Sequence, residues 1–528
     1  MAEVSVPAEV ALDAYLTSLD NRPEVSRQLW TVYPDQTFRH GAPADASCAV
    51  CGDPDWWALV GRQAPVWGAH AKVEGHRVRT TETNWSLLRR HVSPLTGLVT
   101  RLTGGDYGPL AGWGARHASP TAAGTPTRTG GKGTDSAAAR VAAVCEAVER
   151  TALAWPDGVP VVRASMAELG PRAIDPRDVM GFSAAQYSAA TDGDPTPPRL
   201  RPPQQPDASA DGEARAGSGA TDDAVIRHRV PLPLTDGDVL EWVPAHRVGD
   251  DDPRLVPAAL VWFGHRAKGP DPDRDRSRIV ADSNGVAAGG STAEAAVYGL
   301  LEVIERDAVA MWWHLRIARS ALDLAGVDDS YLQRMADYAR EHDRDLWLLD
   351  LTHDIGVPVV VAVCPRQDGS EVVFGFGAHL DPVAAARAAV AECAQFLMAF
   401  SNSPNDRHGL FGEPGRRWWR TRTLATDPHL RPAEAPPQPW PADASGPTDL
   451  ADLRTLVDRL AAVGLTAYAV PMSRPDVPEL TVLRMIVPGA RSMFPRFAPG
   501  RLYDVPHQLG WTPTRRSEVD VNEEAIFF

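Results

Sequence analysis

The feature that most constrains the fold is one long stretch, residues 281–314, in which a glycine-rich turn leads into an apolar, alanine-rich segment. A serine and a threonine at its start can cap a helix, and no proline interrupts the segment that follows. At about 100° per residue, Glu294, Glu302 and Glu305 fall within roughly 80° of one another on this helix. The stretch therefore predicts a long helix whose acidic side chains line one edge of a buried apolar stripe.

Clustered carboxylates on a partly buried helix need a neutralising partner. Two of them about 6 Å apart repel by roughly 3 kcal/mol at an effective dielectric constant of about 20. Magnesium ions suit carboxylate oxygens and are often bound through a few of them together with the phosphates of a nucleotide. The acidic edge therefore indicates a cation site, and the alternative is a solvated acidic face, since glutamate is common on helix surfaces.

A second stretch, residues 127–155, repeats this plan. Lys132 stands between glycines, and the alanine-rich helix after it carries Glu146 and Glu149 one turn apart, followed by Arg150. The glycine spacing is not that of a Walker A loop, but a lysine and free backbone amides at the mouth of a helix still suit phosphate. Because the pattern E-x-x-E-R closes both stretches, we predict that the two helices form one site.

The charge balance of the 528-residue chain excludes some classes of partner. The formal net charge is −15, which argues against sequence-independent binding of nucleic acid or of an anionic membrane. No apolar run approaches the length of a membrane span, and the N-terminus lacks the features of a signal peptide. We therefore expect a cytoplasmic protein.

The five cysteines are too few for a disulfide framework in a chain of this length. Three of them lie in apolar surroundings and are expected in the core. Cys48 and Cys51 form a CxxC pair without a second pair to complete a four-sulfur zinc site. Zinc binding is one interpretation of this pair, and a turn with two free thiols is the other.

Composition divides the chain into a small and a large part. Residues 1–85 are rich in tryptophan and are interpreted as an N-terminal docking module, and residues 86–528 as one large domain. Within the latter we predict a disordered insertion over 195–224 and a proline-rich loop over 403–448. The plan of strand, glycine turn and alanine-rich helix returns at 375–395. These passages predict an α/β fold with mixed sheets and helices that carry clustered glutamates.

Four motifs follow one another along the chain, and each is weak alone. They are GKG with a helix ending in E-x-x-E-R (132–150), N-G-x-A-x-G with a glutamate helix (284–307), G-x-G-x-H-x-D-P with an E-x-x-Q helix (375–395), and PGA…FAPGRLYDVP…LGW (488–511). In this order and spacing they resemble the YcaO superfamily, and within it the cyclodehydratases that install azoline rings in ribosomally made peptides.

This resemblance implies a YcaO-type ATP-binding fold and a set of site residues. In such enzymes a Cys, Ser or Thr side chain of the peptide adds to the preceding amide, and ATP phosphorylates the amide oxygen so that it can leave. The implied ligands of Mg²⁺, or their close neighbours, are Glu146, Glu149, Glu294, Glu302 and Glu305. The residues implied to face the nucleotide are Lys132, Arg150, Asn284, Arg306, Glu392 and Gln395.

The resemblance also implies partners. A ribosomal precursor peptide is the expected substrate, with an activating-enzyme-like protein to bind its leader, and a flavin-dependent dehydrogenase as a further companion. The C-terminal tail, with Asn522 and Phe528, is implied to reach the catalytic centre. It lacks the prolines of azoline-forming relatives, so thioamide or amidine formation and a non-catalytic leader-binding subunit stay open as alternatives. The oligomeric state is open too, a homodimer included.

Overall fold

The structure is a computed structural model that describes residues 28–32, 37–41, 64–118, 126–156, 158–192, 230–250, 253–401 and 412–526. Most of the predicted docking module, with Cys48 and Cys51, lies outside the described residues. The same holds for the predicted insertion over 195–224 and for Phe528.

The described strands form four sheets, in which every neighbouring pair of strands is antiparallel. Their orders are β1-β2, β3-β4-β5, β10-β11-β12, and β6-β7-β13-β14-β9 with β8 beside β7. The bounds are β1 Gln28–Val32, β2 Thr37–Gly41, β3 Val99–Tyr107, β4 Leu110–Ala118, β5 Pro126–Lys132, β6 Val162–Ser165, β7 Val239–Arg247, β8 Pro253–Pro257, β9 Val286–Gly289, β10 Trp347–Asp350, β11 Val359–Cys364, β12 Val373–Ala378, β13 Tyr468–Pro471 and β14 Thr481–Ile486.

Helices pack between and around these sheets, so that the predicted mixed α/β fold is confirmed. Their bounds are α1 Thr81–Leu88, α2 Ser136–Ala152, α3 Met166–Leu169, α4 Pro176–Met180, α5 Ala184–Asp192, α6 Ala258–Val261, α7 Arg274–Arg278, α8 Thr292–His314, α9 Ser330–Glu341, α10 Pro382–Ser401, α11 Gly412–Thr421, α12 Asp449–Ala462 and α13 Arg501–Gln508. Helix α2 packs on β4 and β5, α8 on β9 and β14, and α10 on β11 and β12.

The central helix α8 is the one that the opening stretch predicts. Ser291 caps it by accepting a hydrogen bond from the amide of Glu294, and the helix runs for 23 residues. Most of its side chains are buried, and Trp312 and Trp313 are fully enclosed. The helix therefore holds its glutamates against a rigid apolar support.

A buried ion pair fixes the last turns of α8 to the chain that follows β14. Asp307 is fully buried, and its Oδ2 lies 2.7 Å from Nη2 of Arg501, which starts α13. Its Oδ1 accepts a hydrogen bond of 2.7 Å from the backbone N–H of Arg491. Arg501 also meets Asp354 at 2.8 Å. These contacts hold the segment 491–501 against α8.

Helix α10 corrects one sequence expectation, because the stretch 382–400 is long and apolar enough to cross a membrane by length and composition. More than half of that stretch is buried inside the fold, against β11 and β12. Core helices of this kind pass the same criterion. The burial therefore identifies α10 as a core helix, and it carries Glu392 to the site described below.

The prediction of a loop over 403–448 is wrong for Gly412–Thr421, which forms α11. The basic and aromatic residues there make an amphipathic helix, and Trp418 is buried with its ring centroid 5.4 Å from that of Trp313. The guanidinium of Arg422 lies over the Trp418 ring at 4.6 Å. The packing of Trp418 against α8 thus outweighs the loop-like composition of the segment that contains it.

Candidate active site

The segment 285–290, formed by β9 and the turns at its two ends, donates three backbone hydrogen bonds to glutamates of two helices. The amide of Gly285 donates to Glu302 at 3.1 Å, and the amide of Gly290 donates to Glu294 at 2.8 Å. Between them, the amide of Ala288 donates to Glu149 of α2 at 2.7 Å. The predicted pairing of α2 with α8 is thus made through β9, which lies between their carboxylates.

Glycine is required at two positions of this segment. Gly285 has a φ of +76°, and a Cβ there would stand 2.2 Å from the carbonyl oxygen of Met485 on β14. At Gly289 a Cβ would meet the backbone of Ala295 at 2.5 Å. The missing side chains let β9 approach both β14 and α8 closely, which brings its amides within reach of the carboxylates.

A second group of charges surrounds Glu392 of α10. Nζ of Lys132 lies 2.7 Å from Oε1 of Glu392, and the amide of Phe376 on β12 donates to its Oε2 at 2.5 Å. Burial alone would raise the pKa of Glu392, but the charges of Lys132 and Arg306 outweigh this effect and lower it. The third motif therefore meets the first, and Gln395 lies half-buried one turn further along α10.

An arginine directly follows the last glutamate of the site on each of the two helices. Arg306 lies 3.6 Å from Glu302 and 3.4 Å from Glu305, and Arg150 lies 3.5 Å from Glu146. These separations are long for charged hydrogen bonds. Nε of Arg306 and Nη1 of Arg150 are buried atoms without a hydrogen-bond partner. Such donors suit a bound anion, and the oxygens of a phosphate are the ligands that guanidinium groups favour.

Burial raises the pKa of three glutamates of the site. It raises the pKa of Glu149 to about 8, against the amide of Ala288, and the carboxylates of Glu146 and Glu302 add to the shift. Burial likewise raises the pKa of Glu305 to about 7, although Arg306 acts in the opposite direction. The pKa of Glu146 is raised as well, first by burial. The site is therefore short of positive charge as it stands.

Sequence reasoning missed a polar network beside Asn284. The amide side chain of Asn284 donates to Oγ of Ser492 at 3.0 Å, and its backbone N–H donates to Asp282 at 3.0 Å. Asp282 is also paired with the buried Arg484 and Arg496, at 3.3 and 3.0 Å. Arg496 lies in the fourth motif, so its presence was visible, but a pairing over some 200 residues of sequence was not.

The structure does not place all predicted site residues at one point. Glu294 lies eight residues before Glu302, about 12 Å along the helix axis, where the amide of Gly290 binds its carboxylate. Asn522 is buried at the far end of α8, where its backbone N–H donates to the carbonyl of His314 at 2.7 Å and its side-chain oxygen accepts from Arg316 at 3.1 Å. The charges of Glu149, Glu302, Glu305 and Glu392 thus act on one another directly or through a shared neighbour, and Glu294 lies apart from them at the start of α8. Glu146 and Lys132 complete the site.

The residues present fit a divalent cation and a triphosphate, although the metal cage is not preformed. Among the described residues no three carboxylate, imidazole or thiol groups stand at the spacing of metal ligands. Each carboxylate is instead held by a backbone amide or an ammonium or guanidinium group, while several remain prone to protonation. A cation would replace these protons, and the lysine and arginines would then serve the phosphates.

These pKa values predict a pH-dependent affinity for magnesium nucleotide. At pH 6 Glu149 and Glu305 hold protons that a metal must displace, so we expect binding to strengthen up to pH 8.5, by roughly tenfold per pH unit for each displaced proton below the pKa. The raised pKa values also mean that the metal-free protein loses stability as the pH rises from about 4.3 to about 8. In this range the carboxyls ionise in the unfolded chain but keep their protons in the folded one. Titration calorimetry with a non-hydrolysable ATP analogue, in two buffers of different ionisation enthalpy, measures both affinity and proton release. An affinity that does not change with pH, or a Glu149→Gln variant with the full dependence, would contradict the assignment.

Comparison with known proteins gives the chain its relatives. A family model described as YcaO cyclodehydratase, ATP- and Mg²⁺-binding, matches residues 130–491. Among solved structures, a heterocyclase in complex with substrate and cofactor is 28% identical, with a TM-score of 0.83 over 100% of this chain and 70% of that one. The heterocyclase TruD is 25% identical, with a TM-score of 0.71 over 100% and 67%. A YcaO protein from Methanopyrus kandleri, bound with AMPPCP and Mg²⁺, is 22% identical with a TM-score of 0.51, over 81% and 98%, and supports the fold alone.

Two curated relatives are less informative about function. An uncharacterized protein in the tfuA 3′ region of Rhizobium leguminosarum bv. trifolii is 33% identical over 249 residues, which are 44% of this chain and 57% of that protein. An uncharacterized protein of Methanothermobacter thermautotrophicus is 33% identical over 159 residues, which are 30% and 40%. The chain thus spans about half the length of these relatives.

Proposed function

The chain belongs to the YcaO family, and from this membership we propose that it is an ATP- and Mg²⁺-dependent cyclodehydratase. Its substrates would be Cys, Ser or Thr residues of a ribosomally made precursor peptide, which it would convert to thiazolines or oxazolines. The observation that carries the proposal is the joining of two glutamate helices by the backbone amides of residues 285–290, with buried arginine donors beside them. The likeness to two heterocyclases along the whole chain supports the choice of reaction.

In this proposal ATP supplies the phosphoryl group that turns the amide oxygen of the peptide into a leaving group. The residues of this chain would bind the magnesium nucleotide and orient it. Glu149, Glu294, Glu302 and Glu305 would hold magnesium. Lys132, Arg150 and Arg306 would receive phosphate oxygens and neutralise charge that develops during transfer. Because β9 fixes the carboxylates through its backbone, their positions need little rearrangement.

The fold around the site would keep water out. Arg484 and Arg496 are buried where they pair with Asp282, which also binds Asn284. Polar groups in such surroundings interact more strongly than in water. Asn284 would then be held by Ser492 and Asp282 in an orientation that suits the nucleotide.

A direct experiment tests the proposed reaction. The protein is incubated with a precursor peptide, its leader-binding partner, ATP and Mg²⁺, and the intact mass of the peptide is measured. We expect loss of one water per ring formed, and phosphate release that depends on the peptide. A peptide that exchanges oxygen for sulfur would instead identify thioamide formation. No change of mass in any complete mixture, together with no affinity for magnesium nucleotide, would contradict an ATP-dependent enzyme.

A further inference from the structure

One face of the sheet β3-β4-β5 carries three arginines side by side. In the register of this sheet, Arg101 on β3 stands opposite Arg116 on β4, and Arg116 stands opposite Arg128 on β5. Side chains that are directly opposite in antiparallel strands lie on the same face, with Cβ atoms about 4.5–5.5 Å apart. All three arginines are exposed. The sheet therefore presents three neighbouring guanidinium groups to solvent, which we call the arginine row.

The arginine row lies on the face of the sheet that is turned away from helix α2. Helix α2 packs on the other face of β4 and β5, where Ala115 and His117 are buried. A Cβ at Gly131 on that face would collide with the backbone of Ala139 and Ala143 of α2. Successive side chains of a strand point to opposite faces. The positions of the arginine row thus alternate with those that contact α2.

The same face of the sheet leads to Lys132 of the candidate active site. Lys132 follows Arg128 by four residues on β5, so the two side chains share a face and their Cα atoms are about 14 Å apart. Between these two levels lie Thr103, Gly114 and Gly130, which are paired across the three strands. None of them has a side chain larger than that of threonine, and Thr103 is exposed. An extended peptide of about four residues would span this distance.

The folded chain does not neutralise the arginine row. Within the described ranges, none of the three arginines forms an ion pair with a carboxylate. Like charges that stand directly opposite one another destabilise a sheet. The row is also unusual in a chain whose formal net charge is −15. Because the row costs stability in the free protein, an anionic ligand explains it better than the fold does.

We propose that the arginine row binds an acidic segment of the peptide substrate, about four residues away from the residue that is modified next to Lys132. The inference rests on the proposed function. Guanidinium groups bind carboxylates through two parallel hydrogen bonds, so that a row of them recognises neighbouring Asp or Glu side chains. The shared face with Lys132 favours the substrate over a partner protein. A second copy of this chain, docked symmetrically on this face, would bring two arginine rows together.

The test measures the affinity of the full chain for two fluorescein-labelled synthetic peptides by fluorescence anisotropy. Each peptide has one cysteine in a glycine and serine background. One carries three glutamates on each side, starting four residues from the cysteine, and the other carries glutamines there. We expect the acidic peptide to bind about tenfold or more tightly than its partner at low salt, and the difference to shrink at about 0.5 M salt. Equal affinity for the two peptides would overturn the inference.

Substitutions assign the binding to the arginine row. Arg116→Gln should weaken binding of the acidic peptide roughly fivefold, and replacement of all three arginines by glutamine about 100-fold, as for exposed ion pairs that add together. The matched control is Arg163→Gln, on the exposed part of β6 in another sheet, and it should bind within about twofold of the parent. Parent-like binding by the triple variant would overturn the inference.

Two further readouts exclude other roles for the row. The triple variant should melt at or above the temperature of the parent, because it loses like-charge repulsion. Weaker peptide binding with a lower melting temperature would instead assign the row to the stability of the sheet. A single-stranded oligothymidylate tests the other class of polyanion. If the parent binds it as tightly as the acidic peptide, through the same arginines, the row is a nucleic-acid site and the inference is overturned.

One more measurement distinguishes this inference from the proposed function. The parent is titrated with the magnesium complex of a non-hydrolysable ATP analogue. Absence of affinity would count against the proposed function, whatever the peptides do. Affinity for the nucleotide together with equal affinity for both peptides removes only the role of the arginine row. In a complete reaction mixture, Arg116→Gln should raise KM for an acidic precursor peptide roughly fivefold with little change in kcat, and an unchanged KM would overturn the inference.

Discussion

Replacing Glu302 by glutamine is expected to reduce peptide-dependent ATP turnover by a factor on the order of 10² to 10³, the range measured for loss of one preorganised electrostatic group in an active site. Glutamine keeps the size of the side chain and an oxygen that can accept the amide of Gly285, 3.1 Å away in the parent. It removes the negative charge that faces Arg306 and that a metal would need. The fold should therefore survive while the chemistry is lost.

The measurement is phosphate release with precursor peptide and partner present, paired with the intact mass of the peptide. Glu341→Gln is the matched control, since Glu341 ends the solvent-facing helix α9 and is exposed. The control should keep full activity. Turnover by Glu302→Gln within threefold of the control, in a protein with an unchanged melting temperature, would rule out a role for this carboxylate.

Replacing Asp307 by asparagine is expected to lower the free energy of unfolding by about 3 kcal/mol, the lower end of the range for breaking a buried ion pair. The lower end applies because Arg501 keeps Asp354 as a partner, at 2.8 Å. The loss also weakens the bond from the amide of Arg491. Chemical denaturation measures this change, and Asp337→Asn, which removes an exposed pair with Arg340, should cost less than about 1 kcal/mol.

Because Asp307 ionises, the stability difference between the parent and Asp307→Asn depends on pH. Burial would raise the pKa of Asp307, but the charge of Arg501 outweighs it and holds the pKa well below its usual range. A depressed pKa contributes stability above the unfolded value, about 3.9, and that stability is lost as the pH falls toward the folded value. The parent and Asp307→Asn should therefore differ fully at pH 7 and converge below about pH 4. A constant difference down to pH 3 would mean that the ion pair is not its cause.

How far the sequence determines the site depends on whether the contacts are local. Helix α8 and its cap follow from a run of residues that contains its own start, and the E-x-x-E-R pattern correctly predicted that α2 joins it. The axial position of Glu294 was overlooked, because a helical wheel shows direction and not height. Glycines at 285 and 289 were noted as a turn, but their use in bringing β9 against its neighbours depends on β14, some 200 residues away.

The features that the sequence did not predict depend on contacts between distant residues. The prolines around α11 predict a loop, whereas the packing of its Trp418 against Trp313 of α8 supports a helix. The ion pair between Arg77 and Glu294 was not predicted, since alternating basic residues are common on exposed segments. Its partners, Glu294 and Tyr298, lie more than 200 positions later. Long-range pairings of this kind arise only when the chain is folded.

Because three amides of residues 285–290 bind the glutamates, the site depends on the number of residues in this segment as much as on its side chains. Successive amides of an extended segment point to opposite sides, so that a single inserted residue would turn the donors for Glu149 and Glu294 away from their carboxylates. No substitution elsewhere could restore their spacing. We therefore expect lineages of this protein to vary freely in length between β6 and β7, where 195–224 are found, but to keep an invariant count of residues from Gly285 to Gly290.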